Sequence, residues 1–299
     1  VHLLTPASDE PRPPRFRQYG PTFRYLMETE VHVYAFSMAA NVLLSFYPFL
    51  LVMVSFCRYV LGWDAAEQAI YVALKDYYPG QLGEFIERNL KASLLSGPLQ
   101  VTSLFLLLFT ANGIFEPLEV ALNRAWGITA NRSYFRNQLV SLGLVFACGG
   151  LALVSTILSA LNQELWRQLG YSGAKLTLWT SLALFKMAAV PLSILALVLV
   201  YWLLPNGKVS IRALIPASIV VGVLLEVLKY LNLLLWPYLR IKLQREYGPF
   251  VYSVTIVLWA FLASMVVLAG ADWAARTAQS LALQTRPEAD TVKVESPQR

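Results

Sequence analysis

The stretch Phe36–Cys57, FSMAANVLLSFYPFLLVMVSFC, decides the class of this chain. It is apolar over the length that crosses a bilayer as a helix, about 20 residues. Inside lipid a chain must satisfy its own backbone polar groups, so the block reads as a helix. Its exceptions recur at regular steps. Ser37, Asn41, Ser45 and Pro48 follow each other by four, four and three, which puts them on one helix face. Small and polar residues at this spacing make helix–helix contacts. The same face, through Asn41, also suits the wall of a polar cavity, and both readings stand.

Five further blocks have the same character: Gln100–Leu122, Leu139–Leu161, Leu176–Leu204, Ile211–Leu235 and Val251–Ala271. The expected fold is therefore an all-α integral membrane protein, with six transmembrane helices in one bundle. Residues 1–20 read as a flexible cytoplasmic segment, 21–275 as the membrane domain, and 276–299 as a mostly disordered cytoplasmic tail. No secretory signal is visible in the Pro- and Arg-rich first residues, so the first block is expected to direct insertion and stay in the membrane. The connection over 58–99 is long. It reads as two amphipathic helices, near Ala65–Tyr78 and Gln81–Leu95, broken by Pro79-Gly80. Trp63, Tyr71, Tyr77, Tyr78 and Phe85 suit the headgroup zone. This helical connection is expected outside the membrane, as a cap lying on the bundle or as a lid over a substrate path.

Composition agrees. The chain is 57% hydrophobic and 14% charged, with a net charge of +6; a soluble domain carries about a quarter charged residues. The cations are dispersed, so no nucleic-acid surface is expected. One side of the membrane would hold Arg12, Arg15, Arg17, Arg24, Arg124, Arg132, Arg136, Lys208, Arg212 and the cations of the C-terminal tail. The other, with fewer, would hold Arg58, Lys75, Arg88, Lys91, Arg167, Lys175, Arg240, Lys242 and Arg245. That bias places both termini in the cytoplasm. The two cysteines, Cys57 and Cys148, are too few for a disulfide framework and read as buried free thiols.

A charge at the bilayer centre costs roughly 2.5–3.5 kcal/mol, so intramembrane polar residues carry the functional information. Asn112, Glu116, Glu119 and Asn123 stripe the second block at steps of four, three and four. They read as a solvated interface or as a carboxylate pair lining a cavity. Ser218, Gly222, Glu226 and Lys229 stripe the fifth, and Glu226 and Lys229 are spaced to pair on one face. That pair reads as a structural ion pair or as a substrate or proton site. Lys186 on the fourth block either snorkels to the interface or partners Glu226. Asp272 closes the sixth block, where a carboxylate opposes the helix dipole; an interfacial or internally paired position would explain it.

These segments together resemble the YihY/BrkB family of bacterial inner-membrane proteins, long labelled ribonuclease BN. Ala39–Leu50, with Ser45 and Pro48, looks like the family's first-helix signature. Leu122-Asn123-Arg124-Ala125-Trp126 looks like the element after its second helix. Leu204-Pro205-Asn206-Gly207-Lys208-Val209 with Pro216 is similar to its turn into the fifth helix. Glu226-Val227-Leu228-Lys229 matches its charged pair, and Tyr247-Gly248-Pro249-Phe250 with Gly270-Ala271-Asp272 its closing element, where Glu is more usual than Asp272. The resemblance implies six helices in the cytoplasmic membrane and brings no secure activity.

Three function classes follow. The first is a transporter or flippase-like protein for an amphiphilic or anionic molecule, with membrane lipids as its surroundings or cargo. Its cavity-lining candidates are Asn41, Asn112, Glu116, Glu119, Asn123, Lys186, Glu226 and Lys229. The second is a membrane scaffold or accessory subunit, with a second copy or another protein as partner. The third, a tRNA-processing ribonuclease, is disfavoured. A zinc nuclease needs clustered histidines, and this chain has only His2 and His32. The expectation is no enzyme, no metal, no cofactor and no nucleic acid. No GxxxxGK[ST] loop is present, so active transport would need ion coupling or a separate ATPase.

Overall fold

The computed structural model describes residues 20–77, 81–95, 101–130, 132–168 and 190–284, and the regular structure among them is entirely helical. In chain order the helices are α1 (Gly20–Leu26), α2 (Thr29–Ser55) with a π-helical turn at Phe56–Val60, α3 (Asp64–Tyr77) and α4 (Gln81–Leu95). Then come α5 (Val101–Ala125), α6 (Tyr134–Gln168), α7 (Val190–Leu203), α8 (Ile211–Tyr247) and α9 (Val251–Gln284). Among the described residues, three helical segments are long and apolar enough to cross a membrane: Thr29–Val60, Tyr134–Ser155 and Ile211–Ser280. The third contains both α8 and α9, joined through the 3-10 turn Gly248–Phe250. The chain is thus a helical membrane protein.

The helices outrun their apolar blocks. Helix α8 has 37 residues, about 55 Å at 1.5 Å per residue, against a hydrocarbon core of about 30 Å. It passes the expected end at Leu235 because Leu239–Glu246 (LRIKLQRE) is rich in helix formers although too charged to read as a span. It stops where Gly248 adopts φ 53°, a left-handed conformation that glycine tolerates, and Pro249 follows. Helix α9 likewise continues to Gln284. Residues 276–284, expected in a mostly disordered tail, are therefore helical; Ala, Gln and Leu favour that state once α9 is docked. The first segment, 1–19, and residues 285–299 lie outside the described residues.

Helix α2 packs against α5 and α9, α9 also against α8, and α5 also against α6 and α9. Lipid supplies no hydrophobic drive between spans, so close packing through small residues holds such bundles. Ala35 and Ala39 on α2, Ala121 on α5, Ala213 and Ala217 on α8 and Ala271, Ala274 and Ala275 on α9 are all buried. Gly270 lies so close to Val221 of α8 and Tyr201 of α7 that a side chain there would overlap both. Large apolar residues such as Leu234, Tyr238 and Phe109 face outward, as a lipid-facing surface requires.

The 58–99 connection forms the expected helix pair. One face of α3 and α4, with Tyr71, Leu74, Ile86, Leu90 and Leu94, packs on Leu50, Leu51 and Val54 of α2. Tyr47 and Ser93 hydroxyls meet at 2.8 Å, and the Tyr59 hydroxyl donates to the Leu94 carbonyl at 3.2 Å. Residues 78–80, the expected break, lie outside the described residues.

Candidate functional site

Where α3 seats on the bundle it covers a cavity of about 370 Å³, within the range of small-molecule pockets. Its walls come from five helices: Phe46, Phe49, Leu50 and Met53 of α2; Ile70 and Leu74 of α3; Cys148, Gly149, Leu151, Ala152, Leu153 and Ser155 of α6; Leu192, Ser193 and Ala196 of α7; and Glu226 of α8. The lining is apolar except for a few groups. Glu226 is the single charged side chain among the described lining residues, and Ser155 and Ser193 contribute hydroxyls.

The sequence spacing that predicts a Glu226–Lys229 pair is realised on α8. Lys229 Nζ lies 2.5 Å from Glu226 Oε2, with side chains 25% and 19% exposed respectively. Lys229 also lies over the Tyr230 ring, 5.3 Å from its centroid, a geometry that favours a cation. The upper half of the same stripe is buried instead. Ser218 is fully buried, and a Cβ at Gly222 would meet Ile194 of α7 at 2.9 Å. One stripe thus serves two purposes, a close seam near the helix start and a charged pair further along.

Of the described candidates, Asn41, Glu116, Glu119 and Asn123 are not among the residues lining this cavity. Asn41 donates to the Ser37 carbonyl at 2.9 Å and its amide covers Gly113 of α5, where any side chain would displace it. It sits at the α2–α5 contact. Glu116 is exposed, whereas Glu119, one turn on, is 7% exposed and its Oε2 has no hydrogen-bond partner among the described residues. The two carboxylates of one stripe stand in different environments. Asn112 is on α5 with its side chain outside the described ones, and Lys186 lies outside the described residues.

Asn123 belongs to a second arrangement, at the opposite end of the bundle. Its Oδ1 accepts from the Asn206 backbone N–H at 2.9 Å, and Asn206 Nδ2 donates to the Ala130 carbonyl at 3.0 Å. Arg132 donates to the carbonyls of Leu203, Leu204 and Pro205 at 3.1, 3.3 and 2.6 Å. A guanidinium on the last carbonyl of α7 and the two that follow it satisfies groups the helix end leaves open. The α5–α6 and α7–α8 connections are knitted together by these bonds. Beside them Arg276 pairs with Asp272 at 2.5 Å and donates to Thr22 of α1, so Asp272 is internally paired. Arg124 pairs with Glu30. Burial, then the Asp272 and Glu28 carboxylates, push the Tyr25 phenol above its ordinary range, which keeps it neutral in this layer. Sequence reasoning used Arg132 and Arg276 only to count charge and missed their partners; the adjacency of Asn206 to Pro205 in the family turn was the one available signal. Cys148, Ser155 and Ser193 were also missed as lining residues, because nothing in their spacing distinguishes a wall from a contact. Among the described residues no three His, Cys, Asp or Glu side chains gather closely enough to hold a metal ion.

A bundle of long apolar helices with a mostly apolar cavity among them defines a multi-pass helical membrane protein. The chain belongs to the Virulence factor BrkB family, whose profile matches residues 22–294. It is similar to a UPF0761 membrane protein of Pseudoalteromonas translucida, 25% identical over 82% of this chain and 81% of the relative. A UPF0761 membrane protein of Chlorobium chlorochromatii is 26% identical over 83% of this chain, which spans 56% of that longer relative. A Bacillus subtilis protein whose name calls it ribonuclease-like, YfkH, is 22% identical over 77% of this chain and 84% of its own length. No solved structure matches the chain significantly.

Proposed function

We propose that this chain is a six-span transporter or flippase-like protein of the bacterial cytoplasmic membrane, moving an amphiphilic molecule, and that it is not an enzyme. The observation that carries the reading is the cavity of about 370 Å³ with an apolar wall and one carboxylate, Glu226, at its edge. Such a site suits a molecule with a greasy body and a polar head. It lies toward the α3–α4 end of the bundle, away from the Arg132 and Asn123–Asn206 bonds that tie the connections at the other end. Alternating access would open such a site to one side of the membrane at a time. In this reading α2, α5, α6, α7, α8 and α9 each cross once. The contact between Thr22 and Arg276 brings both ends of the described chain to one side, consistent with cytoplasmic termini and an external α3–α4 cap.

Glu226 and Lys229 are the residues on which transport depends. The test is reconstitution into vesicles with amphiphiles carrying a fluorophore on the apolar chain, single-chain amines and alcohols as well as phospholipids, read by dithionite quenching from outside. Wild type should move label from the inner leaflet beyond the half that is exposed at the start. The Glu226→Gln/Lys229→Met variant, inserted at normal levels, should not. Full activity in that variant removes the site, and inactivity of wild type toward every headgroup overturns the transport reading.

A further inference from the structure

Resting on the cavity reading above, we infer that the head recognised there is a hydrogen-bond donor, an ammonium or hydroxyl on a single apolar chain, and not an anion. The charged pair on α8 presents its two members unequally. Glu226 lines the cavity, whereas Lys229 is not among the lining residues and is turned onto Glu226 Oε2 and the Tyr230 ring. A carboxylate offers about four acceptor positions, more than the one Lys229 ammonium paired with it at Oε2 uses. The occupant therefore meets acceptor capacity whose charge is already half offset by a neighbouring cation. An ammonium or hydroxyl head adds a charge-assisted hydrogen bond there. An anionic head would meet a carboxylate first and would have to break the Glu226–Lys229 pair to reach the cation, leaving Glu226 uncompensated in an apolar site. The tail would lie along Phe46, Phe49 and Met53; methionine and aromatic rings accommodate chains of varied shape.

The chain carries its own reporter. Cys148 is a free thiol in the cavity wall, and Cys57 is a free thiol with no exposed surface. The experiment measures N-ethylmaleimide alkylation of each by peptide mass mapping on the full-length protein in dodecyl maltoside. Dodecylamine hydrochloride, dodecanol or sodium dodecanoate is added at matched mole fraction. Cys148 should react without additive and Cys57 should not. Dodecylammonium should slow Cys148 at about a tenth of the mole fraction needed by dodecanoate, the size expected of one charge-assisted bond. Dodecanol as effective as dodecylammonium assigns recognition to donation alone; dodecanol matching dodecanoate assigns it to the ammonium. In Glu226→Gln, measured in the same micelles so that micelle charge cancels, the preference for dodecylammonium over dodecanoate should fall to about onefold. Equal or stronger protection by dodecanoate, a preference that survives Glu226→Gln, or a Cys148 that never reacts overturns the inference. Protection without movement of any labelled amphiphile, single-chain amines and alcohols included, in the vesicle assay leaves this inference standing and removes transport instead.

Discussion

Gly270→Ala tests the packing on which every contact above depends. A Cβ at position 270 would lie 2.9 Å from the Tyr201 hydroxyl and overlap Cγ2 of Val221. Val221 is 2% exposed and Tyr201 is fully buried, and a β-branched side chain on a helix has one favoured rotamer. Neither can swing away, so α7 or α8 must move from α9. Overpacking of this kind costs about 1–3 kcal/mol. Displacing Tyr201 also strains its 2.6 Å bond to the Val267 carbonyl, and orphaning a buried hydroxyl costs about 1–3 kcal/mol more. The expected loss is roughly 2–6 kcal/mol, or a fall in melting temperature of about 4–24 °C. Tryptophan fluorescence during thermal unfolding in detergent measures it. Gly143→Ala on α6 is the control, because a Cβ there meets nothing within 4 Å; it should be neutral or stabilise by up to about 1 kcal/mol. Val221→Ala combined with Gly270→Ala should be less harmful than the two separate losses predict, by about 1 kcal/mol or more. A Gly270→Ala melt indistinguishable from the control, or a double variant whose losses simply add, would refute the close approach of α8 and α9.

Two further outcomes follow from the ends of the bundle. Arg132→Met removes three carbonyl contacts and should weaken the knitted connections by about 2 kcal/mol, raising hydrogen exchange at 204–210; unchanged exchange there would show that the guanidinium holds nothing. In the α3–α4 pair, burial and then the Glu67 carboxylate raise the Tyr71 phenol above its ordinary 10.0. The neutral form is favoured in the folded pair, so its contribution is present below pH ~10 and is lost as pH rises through the raised value. Exchange in α3 and α4 should therefore accelerate above pH ~10 in wild type, in a step that Tyr71→Phe lacks; matching pH curves for the two would contradict this.

Much of the organisation is legible along the chain, but unevenly. The α3–α4 pair is read nearly to the residue, because amphipathic period and breakers are local signals. The Glu226–Lys229 pair is read from spacing alone, since one helix carries both partners. Helix ends are read less well. The charged segment Leu239–Glu246 stays helical in α8, because helix propensity and apolar length are separate properties. The Asn112–Asn123 stripe is the least legible in the sequence. Its period puts Glu116 and Glu119 together, yet Glu116 is exposed and Glu119 buried. Periodicity names a face, and the neighbouring helices decide which edge of it they cover.

By itself, then, the sequence determined the membrane class, the helical state, the family and the α8 ion pair, since each follows from apolar length, local period or residues on one helix. Tertiary structure alone decided that Asn41 covers Gly113, that Asn123 holds Asn206, that Arg132 closes α7, and that Glu226 faces the cavity. Those facts join residues far apart in the chain. Their geometry is set by which small residues let two backbones approach, and no single helix encodes that.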